Sequence, residues 1–223
     1  MEVIILNNDF QYILFDLDGT LTDSGEGITK AVQYALKYFG IEVADLNELR
    51  KFIGPPLRDS YKNFYDFDDE KAELGIAKFR EYYTDKGIYE NKVYDGVEET
   101  LKILKDNGKK LIIATSKPEV HAKTVLKHFD LEKYFDFIGG ADLEETRVKK
   151  GDVIRYSLEN AGISDLSKVI MVGDREHDII GAKENNIKSI GVLYGYGDVV
   201  ELTQARAEFV VEKIQDIIDI VVK

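Results

Sequence analysis

The sequence contains no cysteine, only three prolines and no long apolar run. Without cysteine, a disulfide framework, a thiolate zinc site and a Cys nucleophile are all excluded. The few prolines and the absence of low-complexity stretches leave little room for a disordered linker. A membrane-spanning helix needs roughly 18–20 consecutive apolar residues, and no run approaches that length. We therefore expect a globular protein that does not enter a membrane.

Basic residues are outnumbered by acidic ones, with 30 Lys and Arg against 42 Asp and Glu in 223 residues and a formal net charge of −12. A chain this acidic repels a phosphate backbone, so we expect no nucleic-acid partner. The net charge does not exclude a local basic pocket that binds a small anion. The N-terminus lacks the basic start and cleavage site of a signal peptide, and the lack of cysteine suits a reducing compartment. We expect a cytoplasmic protein.

Short apolar runs alternate with amphipathic segments through the second half of the chain. The predicted strands are residues 12–15, 111–114, 137–138, 169–172, 189–193 and 209–211. The predicted helices are residues 96–107, 118–129, 151–160, 178–185 and 212–221. Strands rich in Ile, Val and Leu without polar alternation are covered on both faces. The alternation therefore predicts an α/β fold, in which helices flank both faces of a parallel sheet.

One interval after the first strand is too long for a single strand–helix–strand unit, which takes roughly 30 residues. Residues 21–90 lack a convincing strand and have helical patterns over 27–39, 46–52, 56–64 and 70–83. We predict an all-helical cap domain at 21–90, inserted into a core domain formed by 1–20 and 91–223.

Acidic pairs follow two of the predicted strands. Asp16 and Asp18 end the first strand, and Asp174 and Asp178 follow the strand at 169–172. Alternate residues on a strand share a side, and open α/β sheets bind ligands at their carboxyl edge. Close carboxylates repel one another unless a hard cation or a proton lies between them. Taken alone, an Asp-Gly pair is also typical of a turn, and Asp178 of a helix cap.

Hydroxyl residues follow another predicted strand, and two lysines precede a predicted helix. Thr115 and Ser116 follow the strand at 111–114 and precede Lys-Pro, an arrangement typical of either an anion site or a plain helix cap. Lys149 and Lys150 precede the helix at 151–160, where cations oppose the helix dipole unless an anion lies nearby. A solvated lysine pair is the alternative interpretation.

Together, and in this order, these motifs resemble the haloacid dehalogenase superfamily. The first motif is DLDGTLTDS at residues 16–24, the second ATSKP at 114–118, the third a lysine before a helix, and the fourth GDREHD at 173–178. The stretches FIGPPL at 52–57, YDGV at 94–97 and GVLYGYG at 191–197 resemble the phosphoglycolate phosphatase branch. The resemblance covers nearly the whole chain and implies a Rossmann-like core with a helical cap.

The resemblance also implies a mechanism. Asp16 would be the nucleophile that forms an aspartyl phosphate, and Asp18 the general acid and base. Mg²⁺ would be held by the Asp16 carboxylate, the Asp18 backbone carbonyl and Asp174, with Asp178 orienting these groups. The phosphoryl oxygens would be bound by Thr115, Ser116 and the third-motif lysine.

Two assignments depend on local sequence. The branch usually has Lys-Pro at the third motif, whereas this chain has RVKKGD at 147–152, and counting back from the helix favours Lys150 over Lys149. In the predicted cap, Arg58 follows GPPL in the first turn of a helix, where its guanidinium is expected to bind an anionic leaving group. A solvated surface arginine is the alternative.

Three functions are therefore considered. The first is a Mg²⁺-dependent phosphatase of a small phosphorylated metabolite, such as 2-phosphoglycolate. The second is a 5′-nucleotidase, whose base would stack on aromatic residues of the cap. The third is a non-enzymatic phosphometabolite-binding module, which the complete set of catalytic residue types disfavours. We expect a monomer or a homodimer.

Overall fold

The computed structural model describes residues 9–144 and 146–222. The strands are β1 (Tyr12–Phe15), β2 (Thr22–Asp23), β3 (Lys92–Val93), β4 (Lys110–Pro118), β5 (Phe137–Ala141), β6 (Val169–Gly173), β7 (Lys188–Val192) and β8 (Phe209–Val211). The helices are α1 (Gly25–Tyr38), α2 (Leu57–Tyr65), α3 (Asp69–Tyr83), α4 (Val97–Asp106), α5 (Glu119–His128), α6 (Lys150–Asn160), α7 (Glu176–Glu184), α8 (Val199–Ala205) and α9 (Ile217–Val221). Residues 1–8 lie outside the described residues. They include the start of the predicted core domain and the N-terminal segment used for the cytoplasmic expectation.

Within the described residues, six strands form one sheet in the order β5-β4-β1-β6-β7-β8. Every neighbouring pair in it is parallel. The central strand β1 pairs with β4 on one side and β6 on the other, so the strand order reverses there. Ligands of open α/β sheets bind outside the carboxyl ends of the strands at such a reversal. The fold therefore brings the ends of β1, β4 and β6 to one edge.

Both faces of the sheet are covered. Along β1, Ile13 and Phe15 belong to one buried cluster, whereas Leu14 belongs to the cluster on the other face. Helix α6 packs on the second face through Val153 and Ile154. Successive side chains of β1 therefore alternate between the two faces, as in any pleated strand. The predicted α/β class, with helices on both faces of a parallel sheet, is confirmed.

Helices α1, α2 and α3 lie between β2 and β3 in the chain. Their packing includes an aromatic cluster in which Tyr61 stacks on Phe67 at 5.4 Å between ring centroids and meets Phe52 edge-on at 5.2 Å. The buried residues of these helices are continuous with one face of the sheet. We refer to residues 25–89 as the helical cap, and the domain boundaries remain a prediction.

Short elements differ from the sequence prediction. Residues 46–52 form a 3₁₀ helix rather than an α-helix, and the predicted helix at 212–221 is a 3₁₀ turn, Ile214–Asp216, followed by α9. The interval predicted to lack strands contains β2, which pairs antiparallel with β3. Elements of two to seven residues carry too little periodicity to be identified from sequence alone. No helix among the described residues is long and apolar enough to cross a membrane.

Candidate active site

Asp16, the residue after β1, lies on the floor of a cavity of about 250 Å³ between the sheet edge and the helical cap. Its backbone N–H donates to the carbonyl of Val172, so the pairing of β1 with β6 fixes its position. The side chain is buried, with 6% of the residue exposed. Because β1 is the central strand, this carboxylate lies where the strand order reverses.

Lys150, the first residue of α6, extends into the same floor. Its Nζ lies 2.7 Å from Oδ1 of Asp16 and 2.9 Å from Oδ1 of Asp178, and it donates to the carbonyl of Ala114 at 3.1 Å. Burial alone would lower the pKa of Lys150, but the two carboxylates raise it above its usual value. The neighbouring Lys149 is exposed at the N-cap of the helix. The structure therefore brings Lys150, and not Lys149, to the acidic residues.

Asp174 follows β6 and is completely buried behind Asp16. Its carboxylate accepts hydrogen bonds from the Thr20 hydroxyl at 3.1 Å and from the Tyr196 backbone N–H at 2.8 Å. Gly19, with φ of 91°, crosses directly over it, and a Cβ at Gly19 would lie 2.2 Å from an Asp174 oxygen. Only glycine allows this approach, because the backbone is left-handed and no space remains for a side chain.

Asp178 lies at the third position of α7, not at the N-cap that its sequence context suggested. One of its oxygens accepts from the Arg175 backbone N–H at 3.1 Å, while the other contacts Lys150. Asp178 thus caps the helix and also reaches the site. A Cβ at Gly173 would collide with its carboxylate, which explains the glycine at the end of β6.

Asp16, Asp174 and Asp178 each offer one carboxylate oxygen within 4.8 Å of the others, and all three are buried. Burial, followed by the Asp178 and Asp16 carboxylates, raises the pKa of Asp174 well above its usual value. Burial and Asp16 raise the pKa of Asp178 to about 6, although Lys150 opposes the shift. Three oxygen donors with one ammonium leave an uncompensated negative charge, which fits a hard divalent cation. The residues present therefore could hold a metal.

Asp18 also lines the cavity, and its carboxylate contacts Lys117. The Lys117 Nζ lies 2.7 and 2.6 Å from the two Asp18 oxygens. Burial would lower the pKa of Lys117, whereas Asp18 and Tyr83 raise it above its usual value. The sequence prediction assigned no role to Lys117. Its position one residue after Ser116, at the carboxyl edge of the sheet, is the signal that could have identified it.

Thr115 and Ser116 lie on the cavity wall as predicted, at the end of β4. The Thr115 hydroxyl accepts a hydrogen bond from the Lys117 backbone N–H at 3.2 Å. The following helix begins at Glu119, with Pro118 at its N-cap, so these hydroxyls belong to the strand end and not to a helix start. The strand therefore presents them to the cavity next to Asp16 and Lys150.

The cap side of the cavity is mainly apolar, with a basic fringe. The apolar side chains are Ile28, Phe52, Leu57, Ile76, Phe79 and Tyr83, and the basic ones are Arg58, Arg80 and, from the core, His121, Arg175 and His177. Arg58 reaches the cavity as predicted, but it also forms an ion pair with Glu73 of α3. Arg175, missed by the sequence prediction, donates to the Ile53 carbonyl of the cap at 2.7 Å and pairs with Glu201.

Comparison with known proteins relates this geometry to a family. A model described as haloacid dehalogenase-like hydrolase matches residues 13–192. The chain is 45% identical over 190 residues to a 5′-nucleotidase of Pseudomonas aeruginosa, covering 85% of this chain and 86% of that protein. It is 30% identical over 213 residues to phosphoglycolate phosphatase 1 of the same organism, covering 92% and 78%. The family resemblance inferred from the motifs is confirmed.

A solved structure agrees with these relatives. The crystal structure of a predicted phosphatase from Clostridium acetobutylicum superposes with a TM-score of 0.93 at 50% identity, covering 95% of this chain and 98% of that one. The expectation that the chain is a phosphoric monoester hydrolase is confirmed at the level of the family and its phosphatase relatives.

The acidic trio generates a prediction about metal binding and pH. The pKa of Asp178 is raised from 3.8 to about 6, so within this window the folded state binds more protons than the unfolded state, and the raised pKa of Asp174 adds to the difference. Without metal, stability therefore falls as pH rises through this window, and protons compete with a cation below it. We expect Mg²⁺ to raise the thermal unfolding midpoint clearly at pH 7.5 and little at pH 5.

Asp174→Asn should remove most of the Mg²⁺-dependent shift, because it deletes a ligand from the trio. Asp152→Asn provides the matched control, since Asp152 lies in the first turn of the helix that begins at Lys150 and pairs with Arg155. An equal Mg²⁺ shift at both pH values, or in both variants, would contradict a metal site at the trio.

Proposed function

Because the chain belongs to the haloacid dehalogenase-like hydrolase family, we propose that it is a Mg²⁺-dependent phosphatase that hydrolyses a small phosphomonoester through an aspartyl phosphate on Asp16. The observation that carries this proposal is the placement of Asp16 on the cavity floor, 2.7 Å from the Lys150 ammonium, with Asp18 on the same cavity wall. A nucleophile, a cation for the phosphoryl group and a second carboxyl group for proton transfer therefore share one cavity.

In the first step, an Asp16 oxygen attacks phosphorus as the bond from phosphorus to the leaving oxygen breaks. Asp18 donates a proton to that oxygen, so the leaving group departs as an alcohol. In the second step, the Asp18 carboxylate takes a proton from water as the water oxygen attacks the aspartyl phosphate and releases Asp16. Asp16 is thus the nucleophile of the first step and departs as a carboxylate in the second, with the Lys150 ammonium 2.7 Å from one of its oxygens in the free protein.

The phosphoryl oxygens need donors that hold them throughout both steps. Lys150 supplies a buried ammonium, and the hydroxyls of Thr115 and Ser116 lie on the adjacent wall. Donors that are already fixed in a water-poor site stabilise the charge of the transition state without reorganising. We assign phosphate binding to these three residues.

Mg²⁺ would be held by Asp16 and Asp174, together with the Asp18 backbone carbonyl. Asp178, whose carboxylate lies within the same trio, either completes this set or orients it. When bound, the cation would offset the repulsion between these carboxylates and an incoming phosphate. The hydrogen bonds from Thr20 and Tyr196 keep Asp174 in place for this role.

The leaving group would be recognised by the cap, because the residues at the sheet edge contact only the phosphoryl group. Arg58 lines the cavity on the cap side and would bind a leaving group that carries a carboxylate, as in 2-phosphoglycolate. Its ion pair with Glu73 restricts the side chain in the free protein. This assignment is the one that distinguishes an anionic metabolite from other phosphomonoesters.

A nucleoside 5′-monophosphate is the second candidate substrate. It is favoured by the apolar and aromatic cap wall, on which Phe52, Phe79 and Tyr83 meet the cavity, and by the similarity to a 5′-nucleotidase. Tyr83 is already stacked on Phe79 at 5.1 Å between centroids, and Phe52 belongs to the aromatic cluster of the cap. These rings therefore serve the packing of the cap in either case, and a base would contact the parts of them that line the cavity.

Asp16→Asn tests the covalent step. The amide is not a nucleophile, so we expect the variant to fold and to lose at least about 10³-fold in kcat. The measurement is phosphate release from p-nitrophenyl phosphate with Mg²⁺, with the thermal unfolding midpoint as the check on folding. Asp165→Asn, on the exposed turn before β6, is the control. Near-normal turnover of the Asp16 variant would refute the assignment.

Lys150→Ala and Lys149→Ala test the third motif. Removing Lys150 deletes the cation between Asp16 and Asp178, and we expect a loss of about 10²-fold or more in kcat/KM and weaker inhibition by inorganic phosphate. Lys149 is exposed, so its variant should stay within about twofold of the parent. Equal, small effects of both substitutions would mean that neither lysine holds the phosphate.

Arg58→Ala tests the recognition of the leaving group. A charge-assisted hydrogen bond is worth about 1.5–3 kcal/mol, so KM for 2-phosphoglycolate should rise by about 10- to 100-fold. KM for p-nitrophenyl phosphate, which lacks a carboxylate, should change by less than about threefold. Arg155→Ala, on the exposed side of α6, is the matched control.

Parallel losses on both substrates would point to cap folding or closure rather than recognition. A wild-type preference for nucleoside monophosphates over 2-phosphoglycolate, with no effect of Arg58→Ala on either substrate, would favour the second candidate.

A further inference from the structure

Lys117 is a buried lysine that the phosphate-binding assignment above does not use. It follows Thr115 and Ser116 at the end of β4, and 8% of the residue is exposed. Its Nζ contacts both carboxylate oxygens of Asp18, at 2.7 and 2.6 Å, across 99 positions of the sequence. An ammonium that contacts both oxygens restricts rotation of the carboxylate as well as its position.

The two buried lysines have different partners. Lys150 contacts Asp16 and Asp178, whereas Lys117 contacts Asp18. The side chain of Asp18 is less enclosed than those of Asp16 and Asp178, with 13% exposed against 9% and 1%, and it lines the cavity. Backbone hydrogen bonds hold the turn at residues 17–22, but they do not fix the Asp18 side chain. Lys117 therefore supplies the restraint on that side chain.

The helical cap covers this ion pair. The Lys117 Nζ lies 5.2 Å from the centroid of the Tyr83 ring at the end of α3, and Tyr83 also packs against His121 of α5 at 5.8 Å. Tyr83 is buried. Excluding water strengthens an ion pair and fixes its geometry, because little solvent screens the charges.

We propose that Lys117 is a positioning residue, which holds the Asp18 carboxyl group towards the leaving-group oxygen. The inference rests on the proposed role of Asp18 as general acid and base. One oxygen of Asp18 keeps the contact with Lys117 while the other carries the proton that the leaving oxygen receives as its bond to phosphorus breaks. In the second step the same oxygen takes a proton from the attacking water. Lys117 itself exchanges no proton.

A leaving-group series separates this role from direct phosphate binding. Phenyl phosphate and p-nitrophenyl phosphate have the same ring, but phenolate needs protonation far more than nitrophenolate does. Because kcat/KM reports only the steps up to departure of the leaving group, it isolates the first proton transfer. General acid catalysis contributes about 10²- to 10⁴-fold, so its loss should be visible on the poorer leaving group.

For Lys117→Met we expect kcat/KM to fall at least about tenfold more for phenyl phosphate than for p-nitrophenyl phosphate. Inhibition by inorganic phosphate should stay within about twofold of the parent. Lys117→Arg, which keeps a cation beside Asp18, should recover part of the loss on phenyl phosphate. Lys123→Met, on the exposed face of α5, is the matched control.

Other outcomes would overturn the inference. Equal losses on both substrates with weaker inhibition by phosphate would make Lys117 a phosphate ligand. Equal losses with unchanged inhibition, or no loss at all, would also exclude a positioning role. If the Met variant does not fold, Lys117→Gln allows the same comparison, because it removes the charge and keeps a polar side chain.

Asp18→Asn separates this inference from the proposed function on which it rests. If the Asn variant shows no extra loss on phenyl phosphate, the role of Asp18 as general acid is wrong. If it shows that loss and the Lys117 variants do not, the role of Asp18 stands and only the inference about Lys117 is wrong.

Discussion

The central constraint on this structure is the burial of three carboxylates around one ammonium. Asp16, Asp174 and Asp178 lie within 4.8 Å of one another, and Lys150 contacts two of them. Such a cluster is unfavourable unless its charge is offset and its oxygens have partners. Thr20 and Tyr196 donate to Asp174, and Arg175 donates to Asp178. The glycines at 19 and 173 leave room for these carboxylates, where any side chain would collide.

The sheet order explains how distant segments build one cluster. Asp16 and Asp174 follow β1 and β6, and Thr115 lies near the end of β4, so all three lie on strands that are neighbours in space, with β1 between β4 and β6. Lys150 arrives from the start of α6, a helix that packs on one face of the sheet through Val153. Because parallel strands all end at the same edge, each strand adds one side chain to the cavity floor, and the cap closes it from above.

The sequence allowed the site to be predicted where a residue follows a buried strand. The runs before Asp16, Thr115 and Asp174 are apolar and unbroken, and their ends are therefore easy to place. Lys150 was identified over Lys149 by its distance from a helix start. The position of Lys117 directly after Ser116 could have placed it at the sheet edge, but its ion pair with Asp18, 99 residues away, is not indicated by any local pattern. The ribbon of β2 and β3 was missed because each strand has only two residues.

The two buried lysines divide the chemistry of the cavity in a way that the motifs alone do not reveal. Lys150 contacts Asp16 and Asp178, which the proposed mechanism places at the phosphoryl group, whereas Lys117 contacts Asp18, the proposed general acid, and lies under the cap residue Tyr83. The cap also contacts this edge through Arg175, which donates to the Ile53 carbonyl and directly follows Asp174. The cap therefore contacts Lys117, which pairs with Asp18, and Arg175, which is adjacent in sequence to Asp174 of the acidic trio. A change in cap position would act on both without touching Asp16.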